Sequence, residues 1–471
     1  MIPKLKKSFI LTIFGASGDL AKIKIFPALY TLARQGRFPQ NYFIVGFARS
    51  EKTQDEFRKE VEKSIQEYTN ENVKPSVLKE LLSHVHYFSG QYNELKSFQE
   101  YRTFLKSLSK KEMSHIAYFS VPPVVFHPII TNLSKSRKNK NEDIRLVIEK
   151  PFGHDYKSAE ALFHYVSEHF GEEQFYLLDH YLGKSSVQSI LNMRRSNRIL
   201  SNIIRGSEIA NIQITALEEV GVQHRIGYFE HVGIVRDMIQ SHLLQIFALT
   251  TMTIPNKLSS ESLKREKNNV IEAIDCPAED DNVVLGQYKS YRSQEGVKKT
   301  STTETFAAVR MFIDKENWYK VPIYIRTGKK LHEKHTYISI ELKKFPFQDE
   351  KEQPNRIIIE FHPEPRINIE LVNLQEGVSR YQSITTADSI ACNIDGCLPE
   401  HGSLLLDVLD GKRLHFLSFS EILSAWRVVD EMKMLMKERC SKLYRYEDGS
   451  EGPKEQHRLP RMDGFEWYDL H

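Results

Sequence analysis

The first 178 residues alternate short apolar runs with longer segments in which apolar residues recur every three or four positions. The apolar runs predict strands at 9–14, 42–48, 116–121, 144–148 and 175–178. The charged segments between them, such as 53–68 and 158–169, have the period of amphipathic helices. Strands separated by helices predict a parallel, doubly wound sheet over this part of the chain.

Beyond about residue 200 the pattern changes to successive runs, often of alternating polarity. They predict strands at 209–216, 306–313, 337–342, 356–361 and 367–371. Such runs are typical of an antiparallel sheet with one face packed against helices. The Lys- and Ser-rich stretch 256–302 is the most loop-like part of the interior. A chain of 471 residues is too long for one core. We therefore predict an α/β domain at 1–178 and an α+β domain at 179–471.

The first strand runs into a glycine loop, Gly15-Ala-Ser-Gly18-Asp-Leu-Ala21. Gly15 can take the tight turn, and Gly18 lets the backbone approach a ligand closely. The N–H groups that open the following helix would face an anion such as a pyrophosphate. The spacing is G-x-x-G-x-x-A rather than G-x-G-x-x-G, so an ordinary strand–turn–helix is the alternative.

The second strand ends in Arg49-Ser50. In a Rossmann-like fold the residue after this strand meets the adenosine ribose. An acidic residue there would bind a free 2′-hydroxyl, whereas an arginine and a hydroxyl suit a 2′-phosphate. The pattern favours NADP over NAD, although Arg49 lies further from the loop than the acidic residue usually does. A solvated surface arginine is the alternative.

Composition and charge narrow the classes of function. With 40% hydrophobic and 27% charged residues, the chain has the composition of an ordinary globular protein. Its 65 basic and 62 acidic residues are too balanced to indicate a nucleic-acid partner. The four cysteines suggest no disulfide framework and, without a paired CxxC, no metal site. The first apolar run is too short for a signal peptide, and no run is long enough to span a membrane. We expect a cytoplasmic protein.

Two polar clusters directly follow predicted strands of the first domain. They are Glu149-Lys-Pro-Phe-Gly153 and Asp179-His-Tyr-Leu-Gly-Lys184. Ligands of doubly wound sheets sit at the carboxyl ends of strands, so these side chains could meet a cofactor or a phosphate. A charged turn punctuated by Pro and Gly is the alternative for the first cluster.

Two further clusters lie in the second domain. The stretch 236–247 has helical character, with Asp237 and His242 at the polar boundary of an apolar face. A lone helical histidine is often only packed or solvated. The stretch 321–330 places cations, Lys329 among them, immediately beyond an apolar strand. This is either an anion contact or a basic loop.

Together these clusters resemble the glucose-6-phosphate dehydrogenase family. The family-like motifs stand at 15–21, 149–153, 179–184, 236–245 and 321–329. Smaller likenesses, at 303–307, 425–427 and 449–453, fill the gaps. The resemblance therefore covers nearly the whole chain in the right order.

The resemblance implies an N-terminal dinucleotide domain and a larger domain whose mostly antiparallel sheet supports dimer formation. The expected assembly is a homodimer or tetramer. It implies oxidation of β-D-glucose 6-phosphate at C1 to the 6-phospho-δ-lactone, the first step of the oxidative pentose phosphate pathway. Hydride would pass to NADP, or more weakly to NAD. No nucleic acid or membrane is an expected partner.

Site residues are implied by the same resemblance. Removing hydride from C1 requires the C1 hydroxyl proton to leave, and a neutral imidazole is a natural base. His242 would be that base, with Asp179 bonded to its other nitrogen. The substrate contacts would be Lys150, His180, Tyr181, Lys184, Glu218, Asp237, Lys329 and Lys334. The cofactor contacts would be Gly15, Ala16, Ser17, Gly18, Asp19, Leu20, Ala21, Lys22, Arg49 and Lys150.

Several positions depart from the family pattern. Ser185 replaces a usual Glu, Ser241 a usual Asn, and Ile23 interrupts a run of lysines. The segments 223–227 and 400–403 also differ, the latter lacking a Tyr-Glu-Arg. Two alternatives stay open: a dehydrogenase of related build acting on another sugar or sugar phosphate, and a non-catalytic relative that binds nucleotide or phosphosugar.

Overall fold

The computed structural model describes residues 4–69, 72–275, 282–346, 353–375, 378–385, 390, 397–438 and 442–469. The chain divides into two compact units. The first unit comprises Met1–Gly153, Lys157–Lys184 and Ile394–Phe419. The second unit comprises His154–Tyr156, Ser185–Asn393 and Ser420–His471. The chain thus returns to the first unit after most of the second has been built.

The first unit contains a six-stranded parallel sheet in the order β3-β2-β1-β4-β5-β6. Its strands are β1 Phe9–Phe14, β2 Tyr42–Ala48, β3 Val85–Ser89, β4 Ser114–Phe119, β5 Ile144–Glu149 and β6 Phe175–Leu178. This is the Rossmann order, and it confirms the predicted doubly wound sheet. The strand β3 was not predicted, because its five residues include polar His86 and exposed Ser89.

Fourteen α-helices lie within the described residues. They are α1 Phe26–Arg34, α2 Gln54–Tyr68, α3 Pro75–Ser83, α4 Leu95–Leu108, α5 Phe126–Ser136, α6 Tyr156–His169, α7 Ser185–Ser196, α8 Arg198–Ile203, α9 Ile226–Ile234, α10 Leu244–Thr251, α11 Ser260–Glu272, α12 Glu400–Asp410, α13 Phe419–Glu438 and α14 Arg458–Arg461. Two further segments, Ala21–Ile25 and Val235–Leu243, are π-helical.

The core of the first unit joins strands to helices that are remote in sequence. Strand β1 is buried along its whole length. Helix α12 contributes Leu404, Leu405, Val408 and Leu409 to the same apolar cluster as α1 and α2. Burying these side chains removes apolar surface from water and holds α12 in the first unit.

The second unit is built on a mixed, mostly antiparallel sheet in the order β15-β14-β13-β12-β7-β11-β10-β9-β16, with β8 beside β10. Its strands are β7 Ile209–Leu217, β8 Ile274–Asp275, β9 Val283–Tyr288, β10 Phe306–Ile313, β11 Ile323–Gly328, β12 His335–Leu342, β13 Arg356–His362, β14 Arg366–Gln375, β15 Val378–Thr385 and β16 Leu443–Tyr446. The pairs β7–β11 and β9–β16 are parallel. The predicted class of sheet is confirmed.

The expectation of a loop at 256–302 is wrong. This stretch contains α11, whose first turn is capped by Ser259, and the strand β9. Its polarity is misleading because Lys267, though charged, is buried and paired with Glu421 at 2.6 Å. In α11 this lysine occupies a buried position that helical periodicity would assign to an apolar residue, and its partner Glu421 lies on α13.

Two further expectations concern the whole chain. Within the residues described, no helix is long and apolar enough to cross a bilayer. The expectation that the cysteines form no disulfide framework needs a correction at one position. Cys397, the one cysteine inside the described ranges, is disulfide-bonded.

Candidate active site

The glycine loop follows β1 at the centre of the parallel sheet. Gly15 has φ of +82°, and a Cβ there would overlap the carbonyl oxygen of Ser120, which follows β4. The Gly15 N–H donates to Phe47 O at 2.9 Å, and the Gly18 N–H donates to Gly15 O at 2.9 Å. Only glycine fits this turn, because both its conformation and its space exclude a side chain.

The loop lies where the strand order of the sheet reverses, between β1 and β4. Doubly wound sheets bind their ligands at the carboxyl ends of the strands at this switch point. The chain turns helical at Asp19 and continues into the π-helical Ala21–Ile25. The first N–H groups of a helix have no intrahelical partner and attract anions. The loop therefore has the geometry that a dinucleotide pyrophosphate requires.

Arg49 and Ser50 follow β2, the neighbour of β1, and both are exposed. The Arg49 guanidinium lies 5.9 Å from the ring centroid of Tyr92. Tyr87 donates a hydrogen bond of 2.5 Å to the Ser50 carbonyl, which fixes the backbone at this point. The predicted cofactor residues of the loop and Arg49 thus lie at the same edge of the sheet.

Lys150 and Asp179 are brought together by strand register. Glu149 pairs with Leu178 on the parallel strands β5 and β6, so the next residue of each strand emerges at the same level. Lys150 Nζ donates to Asp179 Oδ2 at 2.7 Å, and the Tyr181 N–H donates to Oδ1 at 3.0 Å. Asp179 is fully buried. The ammonium and the N–H group compensate the burial of its charge.

The predicted phosphate residues form one short 3₁₀ turn, His180–Gly183, that ends at Lys184. Lys184 Nζ lies 3.9 Å from the ring centroid of Tyr181. The His180 and Tyr181 rings meet edge to face at 5.1 Å. An imidazole, a phenol and an ammonium are therefore grouped within a few residues, which is a donor set suited to a phosphate.

Sequence reasoning missed the residues that α12 adds to this edge of the first unit. His401 is buried and lies parallel to His180, with ring centroids 6.5 Å apart. Its Nε2 is 4.0 Å from Glu149 Oε1, and its Nδ1 is 3.7 Å from Glu400 Oε1. Tyr118 donates a hydrogen bond to Glu149. The only signal in the sequence was the missing Tyr-Glu-Arg at 400–403.

Burial shifts the pKa values of these residues. It raises the pKa of Glu149 and of Glu400, and it lowers the pKa of His401 to about 4, an effect that nearby Lys24 strengthens. The His401 ring is therefore neutral at neutral pH, so its contacts with Glu149 and Glu400 are not ion pairs.

In the second unit, Glu218 and Lys329 follow the parallel strands β7 and β11. Leu217 pairs with Gly328, and the Glu218 N–H donates to Gly328 O at 2.9 Å. Lys329 Nζ donates to Glu218 Oε2 and lies 3.5 Å from Asp237 Oδ2. The structure thus brings three of the predicted substrate residues together.

Asp237 also pairs with an arginine of the segment 223–227, in which the sequence departs from the family. Arg225 donates from its guanidinium to Asp237 Oδ1 at 3.0 Å. The structure does not extend this cluster to Lys334, which is exposed ahead of β12 and takes no part in the contacts that join Lys329, Glu218 and Asp237.

His242 is buried, with 7% of its surface exposed, in the π-helical segment Val235–Leu243. One turn of a π-helix spans more residues than one turn of an α-helix, so residues five apart lie near the same face. Asp237 and His242 have this spacing. Ser241, which replaces the family's Asn, donates from Oγ to the Arg236 carbonyl at 3.1 Å.

The entry to the π-helical segment is held by residues whose role the sequence did not show. Gly233 has φ of +71°, and a Cβ there would overlap the Glu304 carboxylate. The Ile234 N–H donates to Glu304 O at 2.9 Å, and Thr303 Oγ1 donates to Glu230 O at 2.8 Å. Residues 303 and 304, which lie in the family-like motif 303–307, thus hold the entry to the helix that carries His242.

A glycine loop at the switch point of a Rossmann sheet is typical of dehydrogenases that use a nicotinamide dinucleotide. Residues 12–189 match the model of the glucose-6-phosphate dehydrogenase NAD binding domain, and residues 191–468 match that of the glucose-6-phosphate dehydrogenase C-terminal domain. The chain belongs to the glucose-6-phosphate dehydrogenase family.

Individual relatives agree with this assignment. The chain is 32% identical to glucose-6-phosphate 1-dehydrogenase 2 of Mus musculus, over 97% of this chain and 92% of the relative. It is 33% identical to glucose-6-phosphate 1-dehydrogenase of Bacillus subtilis, over 98% of each chain. A solved glucose-6-phosphate dehydrogenase in complex with its substrate glucose 6-phosphate superposes with a TM-score of 0.91 at 29% identity, over the full length of both chains. The resemblance stated from the sequence is confirmed.

Proposed function

We propose that this protein oxidises D-glucose 6-phosphate at C1 to 6-phospho-D-glucono-1,5-lactone and passes the hydride to NADP. The observation that carries the proposal is the match of both family domains along nearly the whole chain. The first unit supplies a dinucleotide loop, and each unit supplies a cluster of charged side chains at the carboxyl ends of adjacent parallel strands.

His242 is the proposed general base. A neutral imidazole takes the proton of the C1 hydroxyl as the hydride leaves, which avoids a cationic intermediate at C1. Asp179 is the proposed partner of the other ring nitrogen, where a carboxylate fixes the tautomer and stabilises the imidazolium. Asp179 suits this role because its burial and its bond from Lys150 keep it in one position.

The proposed anchors of the sugar phosphate are His180, Tyr181 and Lys184, which the short 3₁₀ turn groups together. Phosphate binding to a cation and two polar rings is charge-assisted and directional. Glu218 and Asp237 are the proposed acceptors of sugar hydroxyls. Lys329, already bonded to Glu218, adds a cation beside them, and Lys334 is kept as a further proposed contact.

The proposed cofactor residues are the loop 15–22, Arg49 and Lys150. The loop holds the pyrophosphate, and the exposed Arg49 guanidinium takes a 2′-phosphate, which NADP has and NAD lacks. The nicotinamide, when bound, accepts the hydride from the sugar. Lys150 reaches toward both ligands, and its contact with Asp179 links cofactor binding to the proposed base.

Three further points extend the proposal. We propose 1–178 and 179–471 as the cofactor and substrate domains, with residues 179–184 and 394–419 packing into the first compact unit. We further propose the cytoplasm as the compartment and a homodimer or tetramer as the assembly. The apolar pattern of the sequence supports the domain ranges and the compartment. Family membership supports the assembly. Light scattering of the purified protein measures the mass of the assembly, and cell fractionation tests the compartment.

The test is reduction of NADP, and separately of NAD, after glucose 6-phosphate is added to the purified protein. We expect rapid reduction that requires the 6-phosphate. At low cofactor concentration, reduction should be faster with NADP than with NAD. Reduction with glucose as readily as with its 6-phosphate would instead indicate another sugar dehydrogenase. A folded protein that binds glucose 6-phosphate but reduces neither nucleotide would indicate a non-catalytic relative.

A further inference from the structure

Helix α12 brings its N-terminal turn against the residues proposed to bind phosphate. A Cβ on Gly183 would lie 2.7 Å from the Glu400 carbonyl oxygen, so the helix touches the 3₁₀ turn directly. Immediately after Glu400, His401 presents a buried ring parallel to the His180 ring, with an interplanar angle of 13°. The two rings therefore form a parallel aromatic pair at the edge of the first unit that carries the 3₁₀ turn.

The His401 ring is itself confined. Its two nitrogens face the carboxylates of Glu149 and Glu400, at 4.0 and 3.7 Å. Glu149 is in turn fixed by the Tyr118 hydroxyl and directly precedes Lys150. Burial lowers the pKa of His401 to about 4, so the ring is a neutral, flat surface at neutral pH. It is not a second phosphate cation.

We propose that His401 is a positioning residue for the substrate phosphate: its ring, held by α12 against Glu149, fixes the orientation of the His180 imidazole. The proposal rests on the role of His180 in the proposed function. A pre-oriented donor binds phosphate more tightly than a mobile one because less side-chain entropy is lost on binding. Because His401 acts through His180 and not on the reacting carbon, we expect it to change affinity rather than chemistry.

The test compares three substitutions of His401 by steady-state kinetics. We expect His401→Leu and His401→Ala to raise KM for glucose 6-phosphate by about 2- to 10-fold, the range that aromatic contacts support. The kcat value and the KM for NADP should change little. His401→Phe should restore a KM near that of the wild type, because it keeps the flat ring. Equal KM values for the Leu and Phe variants would overturn the proposal, even if the Ala variant did not fold.

A matched control lies beyond the other end of α12. His415 is a half-buried histidine of the first unit that bonds to Asp407 at 2.6 Å. His415→Ala should leave KM for glucose 6-phosphate unchanged. A similar rise of KM in this variant would assign the effect to general loosening of α12 and would contradict the proposal.

A double-mutant cycle separates this inference from the proposed function. If His180→Ala leaves KM unchanged, the phosphate role of His180 fails, and this inference fails with it. If His180→Ala raises KM and His401→Leu does not, only the inference fails. We expect both single variants to raise KM and the double variant to equal His180→Ala, because His401 acts through His180.

Discussion

Lys150 and Asp179 are 29 positions apart, yet their side chains form a hydrogen-bonded ion pair. Each was recognisable from the sequence as a charged residue that follows an apolar run. Their pairing depends on the parallel register of β5 and β6, which places Glu149 beside Leu178. In the second unit, the parallel register of β7 and β11 likewise places Lys329 beside Glu218. Residue chemistry was thus predictable one residue at a time, whereas the ion pairs were not.

At this scale the first prediction concerns the proposed base. His242→Asn should reduce kcat by about 10²- to 10⁴-fold, the usual contribution of a general base, because Asn cannot take the proton. KM for glucose 6-phosphate should change modestly, and circular dichroism should show a folded protein. The assay is steady-state NADPH formation. Loss of substrate binding with little loss of kcat would contradict the assignment.

The second prediction concerns the phosphate anchor. Lys184→Ala should raise KM for glucose 6-phosphate by about 10-fold or more, because a charge-assisted hydrogen bond is among the stronger contacts in a binding site. Lys157→Ala is a suitable control, since Lys157 is an exposed lysine of the same unit. The measurement is initial rate against substrate concentration. An unchanged KM for the Lys184 variant would remove this residue from the site.

The third prediction concerns the choice of cofactor. Arg49→Ala should raise KM for NADP by about 10-fold or more and leave KM for NAD nearly unchanged, because only NADP carries the 2′-phosphate. Arg265→Ala, which removes an exposed arginine of the second unit, should affect neither value. Rates are measured with each cofactor at saturating glucose 6-phosphate. Equal losses with NADP and NAD would exclude a contact between Arg49 and the 2′-phosphate.

Among the elements, those with a clear period were predicted well. Strands β2, β6 and β10 have the bounds that the apolar runs gave, and α2 begins one residue after its capping Thr53. The stretch 256–302 was misread because a buried ion pair hides the apolar period of α11. The helical character of 236–247 was recognised, but its π-helical first part was not. The entry to that segment is fixed by the hydrogen bond from the Ile234 N–H to the Glu304 carbonyl, a contact between distant parts of the chain that the sequence does not show.

The fourth prediction tests the glycine loop as an element. Gly15→Ala and Gly36→Ala both place a side chain at positive φ, but only the first meets an obstacle, the Ser120 carbonyl. Gly36→Ala should therefore cost about 1–2 kcal/mol of unfolding free energy, the strain of the left-handed conformation. Gly15→Ala should cost more, because the ends of β1 and β4 must move apart.

The measurements are urea unfolding and NADP binding by fluorescence titration. Gly15→Ala should also weaken NADP binding, since the loop can no longer hold its turn. Gly36→Ala should bind NADP as the wild type does. Equal stability losses in the two variants would show that the contact with Ser120 does not constrain the loop.

At the scale of the whole molecule, pH should act through buried histidines. The Nε2 atom of His115 forms hydrogen bonds with Tyr101 Oη at 2.9 Å and with Thr12 Oγ1 at 3.1 Å. Burial lowers the pKa of His115 to about 3. An unfolded histidine has an ordinary pKa of about 6.5. Between these values the unfolded chain binds more protons than the folded one, so stability falls as the pH falls below about 6.5.

The fifth prediction follows from this linkage. Lowering the pH from 7 to 5 should cost the wild type about 2 kcal/mol through His115 alone. His115→Asn should be less stable at pH 7 but should lose less on acidification. Exposed His231 provides the control, because His231→Asn should keep the pH dependence of the wild type. Urea midpoints at pH 7, 6 and 5 measure the effect, and parallel curves for the wild type and His115→Asn would refute it.

The sequence by itself determined the two classes of sheet, the glycine loop and the residue types of the candidate site, because periodicity and turn chemistry are local properties. Its family resemblance also indicated the reaction. Only the tertiary structure decided the sheet order, the ion pairs at strand ends and the return of α12 to the first unit. These depend on register and on burial of apolar surface between segments far apart in the chain. For the same reason, His401 could not be recognised as a neighbour of His180 from the sequence.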